Sequence, residues 1–186
     1  MDSKALMNRR TAIGAALVAA SPLLFPGRVR AQGMAVPNDP FVILLQGLYQ
    51  PVVHGPDLGL SMVDLNDGSY STTKIYPVYP VSGIPGNTNP NKAIGNFYVQ
   101  FNGDLCAYHI PGGSFAMRFT FVDDNIVSVD DGQGGQYLRG TWELTILEAT
   151  GVYRSFAGGH NQMVDNLHLL ASGAADEYCF CHISRP

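Results

Sequence analysis

The sequence predicts an all-β fold, an eight-stranded antiparallel up-and-down barrel that forms one domain over residues 41–186. Three observations support this prediction. The 186-residue chain contains 21 Gly and 12 Pro but only three Glu and three Lys, and this composition favours sheets with tight turns over helices. Short alternating apolar segments recur at close spacing, with turn residues between them. Closure of about eight such strands into a barrel would remove their exposed edges.

The predicted strands follow the chain in order. The first is FVILLQGLY (41–49), and GLSMVDLND (59–67) is the second because the hairpin signal Asn66-Asp67-Gly68 ends it. The loop 82–93, rich in Gly, Pro and Asn, is read either as a surface connection or as a lid over the barrel mouth. The other strands in this half are SYSTTKIYPVYPV (69–81), IGNFYVQF (94–101), DLCAYHI (104–110), SFAMRFTFV (114–122) and NIVSV (125–129).

The segment 137–168 is where the sequence places its chemistry. GTWELTIL is predicted as a half-buried strand, Thr150-Gly151 as a turn, and the stretch through Tyr153 and Phe156 as a further strand. A Gly158-Gly159 break then precedes a dense cluster of polar side chains between residues 160 and 168. ADEYCFCHIS (175–184) is predicted to close the chain as a strand.

Residues 1–31 are predicted to be an export signal. A basic head precedes the apolar run TAIGAALVAASPLLF, which is too short to span a membrane, and a small residue, Ala31, follows. The pair Arg9-Arg10 is similar to a bacterial twin-arginine signal, and an ordinary Sec-type signal is the alternative. We therefore expect a periplasmic or secreted protein.

Charge and missing motifs narrow the function. Removal of residues 1–31 leaves six basic and fourteen acidic residues, a formal charge of −8, which argues against nucleic acid and against anionic membranes as partners. The chain carries no nucleophile elbow, phosphate-binding loop or dinucleotide fingerprint. We expect a small hydrophobic molecule as the partner and no cofactor, and a homo-oligomer stays open.

The three cysteines offer one disulfide. An oxidising compartment permits a bond between Cys106 and either Cys179 or Cys181. Cys179 and Cys181 lie two apart on one predicted strand, where they cannot bridge easily. A Cys-x-Cys pair also occurs at metal sites, but no second pair accompanies it here.

Two carboxyl groups are the candidate acid–base groups. If 160–169 is extended, Asp165 shares an apolar face with Met163 and Leu167, and burial would raise its pKa toward values useful for general acid catalysis. A turn or cap residue is the alternative for Asp165. Glu177 shares a face with Cys179 and Cys181, where it could take up a proton; a charge on the solvent face is its alternative.

The predicted catalytic set is Asp165 or Glu177, with His160 and Tyr153 as hydrogen-bonding partners. Aromatic residues with polar tips or in apolar rows are expected to line the pocket: Tyr49, Tyr98, Tyr108, Phe119 and Trp142. A helical interpretation of 160–168 would instead group His160, Asp165 and His168 around a metal ion, but neither an HxH nor an HExxH pattern supports it. The prediction is a site without metal.

A resemblance adds to this interpretation. EATGVYRSFAGG (148–159), after the strand GTWELTIL, resembles the Thr-Gly–aromatic–Arg turn of the dirigent proteins, which share a calycin-like barrel with the allene oxide cyclases. The likeness covers residues 140–159. It implies an enzyme, a cyclase or isomerase, that steers cyclisation or stereochemistry of a hydrophobic oxygenated molecule; a non-catalytic lipocalin-like carrier is the alternative. Dirigents often carry Arg before the closing Gly, where this chain has Ala157, so that position inherits no catalytic role.

Overall fold

A computed structural model describes residues 38–78, 89–101, 103–122 and 126–186. The predicted export signal and the first part of the predicted loop 82–93 lie outside these ranges. None of the helical segments within them has the length and hydropathy of a membrane span.

Nine strands form one antiparallel sheet, and eight of them close it into a barrel. The order is β5-β4-β3-β2-β1-β9-β8-β7-β6, and pairing of β5 with β7 closes the ring. The predicted barrel is therefore confirmed. The strands are β1 (Phe41–Pro51), β2 (Ser71–Pro77), β3 (Gly95–Val99), β4 (Leu105–Ile110), β5 (Gly113–Val122), β6 (Val127–Asp130), β7 (Gln136–Ala149), β8 (His160–Leu169) and β9 (Ala175–Ser184).

The extra strand exists because β7 is long enough for two partners on one edge. Its 14 residues pair with β5 through Trp142–Ala149 and with β6 through Gln136–Arg139. β6 thus extends the sheet beyond the ring, and the two valines of β6 that face outward, Val127 and Val129, stay exposed.

The predicted strand at 59–67 is wrong. Asp57, Asp64 and Asp67 each accept a hydrogen bond from the backbone N–H two residues later, and these local turns compete with a sheet ladder. Met62 is exposed, but the other apolar side chains of the segment are nevertheless buried. They pack on the outer face of the barrel in a second cluster formed by Val52, Leu58, Leu60, Val63, Leu65, Tyr70, Tyr98, Ala107 and Ala116.

The predicted strand through Tyr153 and Phe156 is also wrong, because Gly151–Phe156 is a 3-10 helix. The spacing of three between Tyr153 and Phe156 matches the period of such a helix, so both rings point to one side. They pack against Phe41 and Phe115 with ring centroids 4.8 to 6.1 Å apart. The helix closes the end of the barrel at which β1 begins, and we call residues Gly151–Phe156 the plug.

Gly151 begins this plug in a left-handed conformation, with φ of +59°, and a Cβ there would collide with the backbone oxygen of Gly112. Gly68 has a similar φ of +77°, but no described atom lies within 4 Å of its Cβ position. We expect Gly68→Ala to lower the free energy of unfolding by about 1–2 kcal/mol. Gly151→Ala should cost about 1–3 kcal/mol more, because the backbone must move. Urea unfolding of both variants measures the difference, and equal losses would contradict the collision.

Side-chain alternation along β8 and β9 decides what faces the lumen. Asn161, Met163 and Asp165 point inward on β8, while His160, Gln162 and Val164 are exposed. On β9 the inward row is Ala175, Glu177, Cys179, Cys181 and Ile183. This parity places both candidate carboxyl groups inside the barrel.

The expected disulfide is not formed: Cys106, Cys179 and Cys181 are all buried free thiols. Cys106 lies on β4, which three strands separate from β9, so its thiol and the other two extend into the lumen from different parts of the wall. The Sγ atoms of Cys179 and Cys181 are 3.8 Å apart on the same strand.

Candidate functional site

An apolar cavity of about 320 Å³ occupies the end of the barrel opposite the 3-10 helix. Tyr49, near the end of β1, lies in its wall, whereas Phe41, at the start of β1, contacts the helix. The apolar part of the lining consists of Phe97, Val99, Phe101, Phe119, Trp142, Met163 and Leu167. The polar part consists of Tyr49, Gln100, Gly103, Asp104, Asp165 and Glu177.

Asp165 and Glu177 form a pair of buried carboxyl groups in this cavity. They are diagonal neighbours on β8 and β9, since Asp165 lies opposite Cys179 and Leu167 lies opposite Glu177. Their side chains are only 9% and 4% exposed, and a carboxyl oxygen of each lies within 4.8 Å of one of the other. We call these two residues the acid pair.

The two carboxyl groups of the acid pair differ in their hydrogen bonds. Tyr49 Oη donates a hydrogen bond to Glu177 Oε2. Asp165 Oδ1 is buried and has no hydrogen-bond partner among the residues described. One carboxyl is thus fixed in position by a side-chain hydrogen bond, and the other keeps a buried oxygen atom without a partner among the described residues.

Burial dominates the electrostatics of the acid pair. Desolvation raises the pKa of Asp165 to about 7. It also raises the pKa of Glu177 well above its ordinary value, the charge of Asp165 raises it further, and the Tyr49 hydrogen bond acts in the opposite direction. Both members of the pair therefore keep their protons to higher pH than ordinary carboxyl groups, and the pair can donate a proton and, once ionised, accept one.

No Lys or Arg appears among the described residues that line the cavity. At the rim, Asp104 Oδ2 lies 2.8 Å from Arg118 Nε, in a pair whose side chains are 59% and 44% exposed. The acid pair consequently has no positive group beside it inside the cavity.

Five of the nine predicted site residues come together here. Tyr49, Phe119 and Trp142 line the cavity with the acid pair. The rings of Phe119 and Trp142 meet edge to face with centroids 6.0 Å apart. These residues come from five different strands, and only closure of the barrel brings them together.

The other four lie elsewhere. Tyr108 is buried deeper in the lumen, where its Oη accepts a hydrogen bond from Asn161 Nδ2 at 2.8 Å. Tyr98 lies in the outer cluster, because it alternates with inward-facing Phe97. Tyr153 belongs to the plug, where its hydroxyl donates to the carbonyl of Pro111. His160 is exposed on the outer face of β8.

The metal alternative at His160, Asp165 and His168 is incompatible with the strand. Both histidines face outward, and His168 Nε2 lies 2.8 Å from Asp131 Oδ2. The described donors that do lie close together are the acid pair and Cys179, within 4.8 Å of one another. Burial raises the pKa of the Cys179 thiol well above its usual value, so a metal ion would have to displace protons from all three groups.

Several lining residues were not predicted, and the signal for them was present. Phe97, Val99 and Phe101 alternate along one segment, so an inward Phe97 places all three on the lumen side. Met163 and Leu167 likewise share the face of Asp165. Gln100, Gly103 and Asp104 belong to the turn between β3 and β4, whose position over the cavity depends on the closed ring.

Comparison of the chain with family models, with curated proteins and with solved structures gave no match.

Proposed function

We propose that this protein is an exported small-molecule barrel enzyme that steers the cyclisation or stereochemistry of a hydrophobic oxygenated substrate. One observation carries the proposal: two buried carboxyl groups share the wall of an apolar cavity, and an oxygen of one of them has no partner among the residues that the structure describes. Acid–base groups held in a shaped, water-poor cavity are the machinery that an isomerase of this kind requires.

The chemistry follows from the two protonation states of the acid pair. A protonated carboxyl donates to the carbonyl or epoxide oxygen of the substrate and makes its carbon skeleton electrophilic. As the new carbon–carbon or carbon–oxygen bond forms, a proton leaves the skeleton and is accepted by the other carboxyl. The proton given and the proton taken balance, so an isomerisation needs no co-reactant. The walls formed by Phe119, Trp142 and Leu167 would hold one folded conformer of the substrate and thereby set its stereochemistry.

Citronellal is a suitable probe, because it is an uncharged aldehyde whose acid-catalysed ring closure gives isopulegol without change in composition. We expect the protein to form isopulegol with a diastereomer ratio different from that of the uncatalysed reaction, measured by chiral gas chromatography. Displacement of the neutral dye N-phenyl-1-naphthylamine measures binding in parallel. Binding without product favours the lipocalin-like carrier, and absence of both contradicts the proposal.

Tyr49 should set the pH at which the acid pair works. Its hydrogen bond favours the charged form of Glu177, so Tyr49→Phe is expected to raise the pKa of Glu177 further and to move the pH–activity profile toward alkaline pH. Carbon-13 labelling of glutamate gives a direct measurement, since the chain contains only three glutamates. The resonances of Glu143 and Glu148, which lie outside the cavity, serve as references. An unchanged or lowered Glu177 midpoint would contradict the assigned role.

A further inference from the structure

Among the described residues that line the cavity, the ionisable side chains around the acid pair are all acidic, and Arg118, which pairs with Asp104 at the rim, is not part of that lining. Tyr49 reaches the acid pair from β1, and Cys179 from β9. Asp104 lines the cavity at the rim, and Asp176, beside Glu177 on β9, adds to the negative potential. Each of these groups becomes negative when it loses a proton, and the described lining holds no Lys or Arg. The cavity can thus accept a cation, since none of the described side chains that line it carries a positive charge.

Aromatic rings surround the same space. Tyr49, Phe97, Phe101, Phe119 and Trp142 all line it, and the rings of Tyr49 and Phe101 meet edge to face with centroids 5.0 Å apart. Ring faces attract an ammonium group, and the attraction is stronger where water is excluded. An apolar ligand with a positively charged end is therefore complementary to both parts of the wall.

We propose that this cavity binds a primary amine with an aromatic or alkyl tail as its ammonium ion, with the nitrogen between Asp165 and Glu177 and the tail against Phe119 and Trp142. The carboxylate of Asp165, whose Oδ1 has no partner among the described residues, accepts one of the ammonium hydrogens. The remaining hydrogens face Glu177 and the aromatic rings. A carboxylate ligand is excluded, since it would meet two acids and no cation.

Proton balance gives the proposal a thermodynamic signature. When an ammonium ion meets a protonated acid pair, the carboxyl that pairs with it loses its proton to solvent. Up to one proton is released for each amine bound, according to the fraction of Asp165 that is protonated before binding, and an uncharged ligand of the same shape releases none. The inference rests on the ligand-binding part of the proposed function and is independent of its catalytic part.

Three matched probes test the inference: 2-phenylethylamine, 2-phenylethanol and 3-phenylpropanoate share a ring and a short chain but differ in charge. Isothermal calorimetry near pH 7 should show the amine binding at least about tenfold more tightly than the alcohol, and the carboxylate not binding. The amine titration repeated in phosphate and in MOPS, whose ionisation enthalpies differ and neither of which is a primary amine, should reveal the released proton. The alcohol should give the same heat in both buffers.

Variants separate direct contact from general electrostatics. Asp165→Asn should weaken amine binding at least about tenfold and leave alcohol binding nearly unchanged. Glu143→Gln makes the same charge change outside the cavity, where Gln162 Nε2 donates to Glu143 Oε1, and it should leave both affinities unchanged. Equal affinity for amine and alcohol, or a normal amine affinity in Asp165→Asn, would overturn the inference alone. If none of the probes and no neutral dye binds, the proposed function fails as well.

Discussion

Glu177→Gln is expected to reduce the rate of citronellal cyclisation at least about 100-fold while the neutral dye still binds. Gln keeps the shape and the hydrogen-bonding capacity of the side chain, and its carbonyl oxygen still accepts from Tyr49. It can neither give nor take a proton, so the loss falls on the chemical step and not on occupancy of the cavity. Product formation by gas chromatography and dye displacement measure the two effects separately.

Glu143→Gln is the matched control for this experiment. It makes the same substitution on β7, where Glu143 bonds to Gln162 and does not line the cavity, and it should retain wild-type turnover. If Glu177→Gln keeps more than about a tenth of the wild-type rate, general acid–base catalysis at this position is refuted, since such groups contribute 10²–10⁴-fold.

The barrel could be predicted from the sequence because each strand carries its own signal. Alternating segments divided by Gly, Pro and Asn located β1 and β4 within two residues of their observed ends and β9 at its observed ends. The two wrongly predicted strands, 59–67 and the stretch through Tyr153 and Phe156, share a cause. Both contain apolar residues, but their backbone groups form local hydrogen bonds and do not pair with another strand. Asp57, Asp64 and Asp67 supply side-chain acceptors in one segment, and the left-handed Gly151 begins a helix in the other.

The candidate site was predictable only in part. Alternation along a strand shows which residues share a face, but it does not show which residues of other strands lie beside them. Alternation grouped Asp165 with Met163 and Leu167, and Glu177 with the two cysteines of β9, but left a turn or solvent-facing role open for each; the structure shows that both faces point inward. Alternation could not show that they are diagonal partners, since that depends on the β8–β9 register. Tyr49, Tyr98 and Tyr153 look alike in the sequence, since each is an aromatic residue with a polar tip. Tyr98 nevertheless faces the outer cluster, and Tyr153 belongs to the plug.

Asp165→Asn is expected to stabilise the protein at neutral pH. The pKa of Asp165 is raised from 3.8 to about 7 in the folded state, so folding favours its protonated form. In wild type, the stabilisation that comes from protonated Asp165 is complete below about pH 4. It is lost as pH rises to about 7, which lowers the free energy of unfolding by roughly 4 kcal/mol. Asn does not titrate, and burying its amide costs about 1 kcal/mol. The variant should therefore exceed wild type by about 3 kcal/mol at pH 8.

Urea unfolding at intervals between about pH 4 and pH 8 measures this difference. At and below about pH 4 the variant should be slightly less stable than wild type because of its buried amide. The two curves should cross as pH rises, and the advantage of the variant should then grow up to about pH 7 and stay nearly constant. Parallel curves for the variant and wild type would contradict the raised pKa of the buried Asp165 carboxyl. The same substitution is predicted to weaken amine binding, so stability and function should move in opposite directions at one residue. Replacement of a residue whose only role is to pack the core would lower both stability and binding. Such a replacement leaves a cavity and does not remove a buried charge.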